Sequence, residues 1–96
     1  MSTLDLMRQR RDEILRIAAR HGARNVRVFG SVARNAERAD SDVDLLIEAG
    51  PETTPWFPAG LIVDLEPVLG RHVDIVTDRG LNPLFRERIL SEAVAL

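Results

Sequence analysis

Three short runs of strand character alternate with stretches of helical periodicity, and this alternation restricts the chain more than any other feature. Residues 25–29 are rich in β-branched side chains. Ser41 to Glu48 alternates, with Val43, Leu45 and Ile47 on one face and Asp42, Asp44 and Leu46 on the other. His72 to Val76 repeats the pattern, with Val73 and Ile75 opposite Asp74. Before the first run, Leu4, Met7, Ile14, Leu15, Ile17 and Ala18 predict one amphipathic helix from Leu4 to Arg20, stopped by Gly22. Val32 to Arg38 has good helix formers but few apolar residues, and predicts one or two exposed turns. Leu61 to Leu69 follows a helical period, with Pro67 weakening its last turn and Gly70 ending it. Asn82-Pro83 predicts an N-cap and first helical position, ahead of an apolar face of Leu84, Phe85, Ile89 and Ala93. The order α-β-α-β-α-β-α implies an α/β sheet with helices packed on it. No repeat or linker divides residues 1–96, which read as a single domain.

Composition removes several classes of chemistry. The sequence has no cysteine, so a disulfide scaffold, a zinc-thiolate site or a thiol nucleophile is excluded. All 13 basic residues are arginine, so no lysine serves as base or Schiff-base nucleophile. Codon bias explains the arginine complement; guanidinium recognition of phosphate is the functional alternative. With 15 acidic residues the net charge is −2, which argues against coating nucleic acid by charge alone, and the arginines of the first helix read as a solvated face. No apolar run approaches the roughly 20 residues that span a bilayer. Asp5 stands near the start where a signal peptide would be basic, and the expected location is cytoplasmic, without membrane association. A chain of 96 residues leaves little room for a second substrate-recognition module.

The segment carrying chemistry runs from Phe29-Gly30-Ser31-Val32-Ala33-Arg34 to Ser41-Asp42-Val43-Asp44-Leu45-Leu46. A glycine and a small hydroxyl residue after a strand, opening a helix, let backbone N–H groups approach a phosphate. A tight turn explains the same pair equally well. Asp42 and Asp44 are two apart on a strand, so both carboxylates project from one face, with Cα atoms about 6.5–7 Å apart. Hard divalent cations seek such oxygens, and Mg²⁺ is commonly held by one or two carboxylates plus substrate phosphates. Asp74 lies on the polar face of the third strand and joins this group if the two strands are neighbours. Solvated acids on a half-exposed strand are the alternative for the pair alone. Three acids on one face would repel each other without a cation or arginine among them.

Gly30-Ser31, then Asp42-x-Asp44, then Asp74 within Val73-Asp74-Ile75-Val76 resemble the signature of the DNA polymerase β-type nucleotidyltransferase superfamily. The chain length resembles its minimal nucleotidyltransferase branch. This resemblance implies the nucleotidyltransferase fold, with a small mixed sheet of three or four strands. It further implies that Asp42, Asp44 and Asp74 are catalytic and bind two Mg²⁺ ions, with Asp74 assisting deprotonation of the attacking hydroxyl. Gly30, Ser31, Arg34 and Ser41 would contact the nucleotide phosphates, with ATP as substrate. Two departures stand out: Val32 replaces a frequent basic residue, and Asn35 replaces a glycine, although Asn tolerates a left-handed backbone. Minimal members resemble antitoxins that transfer AMP onto a tyrosine of a HEPN ribonuclease toxin. The implied partner is therefore such a toxin, in a hetero-oligomer.

Transfer to a small molecule or an RNA end keeps the chemistry and changes the acceptor. A binding module that neutralises its partner by contact is the reading from another class. Trp56 and Phe57 either cap the core or anchor a partner. His21 and His72, at a helix end and a strand start, read as structural.

Overall fold

A computed structural model describes residues 1–96. The elements in chain order are α1 (Thr3–Gln9), α2 (Arg11–Arg20), β1 (Ala23–Phe29), α3 (Gly30–Ala33), β2 (Val43–Ala49), α4 (Ala59–Leu69), β3 (Val73–Thr77), a 3₁₀ turn (Asp78–Gly80), α5 (Arg86–Glu92) and β4 (Val94–Ala95). They build a mixed four-stranded sheet in the order β3-β2-β1-β4. β2 runs antiparallel to β1 and parallel to β3, with α4 as the crossover between them, while β4 pairs antiparallel with β1. The α/β expectation holds, and the fourth strand completes the sheet.

Hydrophobic alternation decides which face of the sheet is covered. Val26 and Val28 of β1, Val43, Leu45 and Ile47 of β2 and Val73 of β3 form one core cluster with Met7, Ile14, Ile17 and Ala18 of α1 and α2 and Leu61, Leu65 and Leu69 of α4. A fully buried aliphatic side chain of this kind is stabilising by about 1.5–3 kcal/mol. The acids occupy the opposite face.

Several elements differ from their sequence-based expectations. The single first helix is two helices, broken at Arg10, where φ is −100° and ψ 18°. No apolar residue lies between Met7 and Ile14, and the break lets both reach full burial. Ser2 caps α1: its Oγ accepts from Asp5 N–H at 3.1 Å, and Asp5 Oδ2 accepts from Ser2 N–H at 3.2 Å. The turns expected to be exposed between Val32 and Arg38 reduce to the single-turn α3, whose Val32 is fully buried. That position supports packing, so a basic side chain there would have to leave the core. Asn35 adopts φ 60°, as expected of a residue standing in for glycine. The Asn82 cap forms, with Oδ1 accepting from Leu84 N–H at 3.0 Å, but it closes only a turn, and α5 begins at Arg86. Its expected apolar face stays largely uncovered, with Leu84 85% and Phe85 50% exposed.

Candidate active site

The site forms where β1 ends, β2 begins and β3 pairs beside it. β1 leads directly into α3 at Gly30, and its last residue, Phe29, lies opposite Asp44 on β2. β2 and β3 are in register, so Asp44 lies opposite Asp74. Residues paired this way on adjacent parallel strands project from one face, about 4.8 Å apart in the sheet. Asp42 precedes β2 by one residue and shares that side. The strand adjacency needed for Asp74 to join the pair is therefore present.

Gly30 has a specific steric reason to be glycine. Its φ is +75°, and a Cβ there would overlap the carboxylate of Asp44. The backbone turn after β1 thus lies directly against the acid. Ser31 follows, and its carbonyl accepts from Ala36 N–H at 2.8 Å, closing the turn. Ser41 Oγ accepts from Arg38 N–H at 2.8 Å, so its hydroxyl holds the loop that precedes Asp42. Arg34 is ion-paired with Glu92 of α5.

Asp42 and Asp74 are exposed, whereas Asp44 is partly buried. Burial first, then the negative charges of Asp74, Asp42 and Glu92, push the Asp44 carboxyl above the ordinary carboxylate range, with Arg34 pulling it back down. Such a group stores unfavourable charge that a cation would relieve. The donor set is all carboxylate oxygen, which suits a hard divalent cation. No three of these side chains converge tightly enough to enclose an ion by themselves. Mg²⁺ usually keeps waters and substrate phosphates in its coordination shell, so a pair of carboxylates beside an approachable backbone turn fits it.

Of two further neighbours of the acids, only Glu92 carries no signal in the sequence. Glu92 lies 58 residues from Arg34 and reaches the site only because α5 folds back beside α3. His72, two residues before Asp74 and read from the sequence as structural, lines an open cavity of about 340 Å³ with Asp42, Arg71 and Glu66. By contrast, His21 is held between Thr54 Oγ1 and Asp64 Oδ2, each at 2.7 Å, at the opposite end of β1, a structural clasp.

The model of the nucleotidyltransferase domain family matches residues 11–96. A Methanocaldococcus jannaschii protein provisionally named as a protein adenylyltransferase is 40% identical over 82 residues, 85% of this chain and 88% of its own. The protein adenylyltransferase MntA of Thermococcus cleftensis is 35% identical over 77 residues, 78% of this chain and 76% of its own. A solved structure provisionally described as a minimal nucleotidyltransferase superposes with TM-score 0.85 at 49% identity, covering 100% of this chain and 97% of that one. A toxin–antitoxin crystal structure with AMP-PNP shares the fold with TM-score 0.73 at 17% identity, over 88% of this chain and 69% of that one. Likeness over most of the sequence agrees with a sheet that sets Gly30, Asp44 and Asp74 side by side: the chain belongs to the nucleotidyltransferase domain family and is a nucleotidyltransferase.

Proposed function

We propose that this protein is a Mg²⁺-dependent protein adenylyltransferase that moves AMP from ATP onto a tyrosine hydroxyl of a partner HEPN ribonuclease toxin, acting as its antitoxin. The observation that carries this reading is the in-register pairing of Asp44 with Asp74, with the Gly30 turn packed against Asp44. The relatives named as protein adenylyltransferases support the choice of transferred group, and the toxin–antitoxin neighbour supports the kind of partner. The sequence itself contains no tyrosine, so a tyrosine acceptor has to come from another molecule.

In this reading Asp42 and Asp44 hold the metal-bound triphosphate, and Gly30 and Ser31 receive its phosphate oxygens on backbone N–H groups. Arg34 exchanges Glu92 for a phosphate. The acceptor oxygen forms a new bond to the α-phosphorus, the bond from that phosphorus to the bridging oxygen of pyrophosphate breaks, and pyrophosphate leaves with the electron pair. The hydroxyl proton passes to the Asp74 carboxylate. Bound divalent ions supply acidity to the acceptor hydroxyl and charge neutralisation to the leaving group. The protein adds positioning and electrostatics, with no covalent intermediate. Beside Gly30 and Arg34, a cleft of about 200 Å³ lined by Phe29, Phe85 and Ile89 gives an aromatic acceptor an apolar surface to approach along.

The test is transfer of label from α-labelled ATP, with Mg²⁺, to the protein encoded beside this one. Label on a tyrosine of that protein, absent with the Asp42→Asn/Asp44→Asn double variant, is the expected result. Neutralisation of the partner that persists in the double variant without any label would instead establish a contact-only antitoxin. Label on an RNA end or a small molecule would move the acceptor outside the protein class.

A further inference from the structure

We propose that Arg71 is a positioning residue for nucleotidyl transfer, whose guanidinium fixes the loop that presents Asp42 relative to the strand that carries Asp74. The inference rests on the reading of Asp42 as a ligand of the metal–nucleotide complex and adds a residue outside the signature quoted above. Arg71 follows Gly70, which ends α4 in a left-handed conformation, and stands two residues before β3. Its Nη1 donates to the carbonyls of Arg38 at 2.7 Å and Ser41 at 3.0 Å, with that of Ala39 at the longer distance of 3.4 Å. One nitrogen with two hydrogens therefore serves three carbonyls of a loop that has no ladder of its own to satisfy them.

Further contacts show that this loop is held as a unit. Ser41 N–H donates to Arg38 O at 3.1 Å, and Arg38 N–H donates to Ser41 Oγ at 2.8 Å. Glu37 Oε1 accepts from Thr3 N–H at 3.1 Å, tying the same segment to the start of α1. Immediately beyond Asp42, Val43 N–H donates to His72 O at 2.9 Å, the first bond between the two strands. Asp42 thus sits between two anchors, Arg71 and His72, that immediately precede the strand of Asp74. A misplacement of one ligand by about an ångström is enough to cost of the order of a hundredfold in rate. A planar guanidinium reaching several carbonyls constrains such a loop better than a single ammonium.

The experiment uses Mn²⁺ with ATP, followed by electron paramagnetic resonance, on the wild type, Asp42→Asn, Arg71→Met and Arg71→Lys. Amide hydrogen exchange is recorded in parallel on the nucleotide-free proteins. Arg71→Met is expected to weaken Mn²⁺–ATP binding about tenfold, the scale for groups that orient a metal ligand. It is expected to speed exchange at residues 38–43 about tenfold while leaving the amides of Val26 and Val28 unchanged. Arg71→Lys, which keeps the charge and so guards against a folding failure of the methionine variant, is expected to recover only part of both effects. Wild-type binding by Arg71→Met, or loop exchange at the wild-type rate, overturns the proposal. Full recovery of binding by lysine with the loop still fast also overturns it, in favour of direct charge on phosphate. Equal binding by wild type and Asp42→Asn overturns the reading of the site itself and the positioning role with it, an outcome separate from failure at Arg71 alone.

Discussion

At the scale of single residues, the energetics of the site centre on Asp44. Its carboxylate is partly buried, faces Asp74 and packs against the Gly30 backbone. Its raised pKa has a definite consequence for the metal-free protein. A carboxyl whose folded pKa lies above its unfolded value supports the fold while protonated, and that support is lost as pH rises through the folded value. Asp44→Asn should therefore melt at a higher temperature than wild type near neutral pH in chelator. The gap should close as pH falls through the raised folded value to below the ordinary carboxylate value; melts between about pH 3 and pH 8 measure it. The same variant should lose more than about a hundredfold in nucleotidyl transfer, since even groups that merely support a metal ligand are worth about 10–100-fold. On the proposed mechanism, a destabilising charge at Asp44 is the usual conflict between stability and function.

Secondary-structure elements show where local sequence signals held and where packing overrode them. The end of α4 is legible in the sequence, because Gly70 takes φ 66° and Pro67 cannot donate in the last turn. The junction that follows depends on Glu66, whose Oε2 accepts from Val73 N–H at 2.9 Å and lies 3.3 Å from His72 Nδ1. The Val73 hydrogen bond, aided by His72, holds the Glu66 carboxyl below its ordinary pKa. A depressed carboxyl pKa contributes stability above the unfolded value and loses it as pH falls through the folded one. Glu66→Gln should therefore melt below wild type at neutral pH and converge with it in acid, in paired thermal melts. α5 shows the opposite case. Its residues have a helical period, yet none of them is buried, because β4 rather than α5 closes the sheet edge beside β1.

Across the whole molecule, the acids and the exposed Trp56 lie at opposite ends of β2. Gly50 N–H donates to Gly22 O at 2.7 Å and Thr54 N–H to His21 O at 3.4 Å, so the loop bearing Trp56 closes over the start of β1. The acids lie at the other end of β2, and its 7 residues span about 20 Å. Of the two aromatic neighbours, Phe57 packs on the core while Trp56 is 87% exposed. Trp56→Ala should weaken the complex with a protein partner by more than 1 kcal/mol. It should leave nucleotide binding unchanged and shift stability by only about 0.5 kcal/mol, as surface substitutions do. Paired calorimetric binding and melting measurements check this ranking, and a larger loss in melting than in binding would return Trp56 to a packing role.

The sequence by itself determined the strand faces, the helix stop at Gly70, the left-handed turn at Asn35 and the presence of two acids on one face. Each follows from a rule that acts over a few residues, namely side-chain period, cap chemistry or backbone sterics. Only the tertiary structure decided that β3 lies parallel to and in register with β2, so that Asp74 stands beside Asp44. It also decided that Val32 faces the core, that the first helix breaks at Arg10, and that Glu92 and Arg71 approach the acids. These outcomes depend on pairings between residues far apart in the chain, fixed by the joint burial of one hydrophobic face, and no local window of sequence contains both partners.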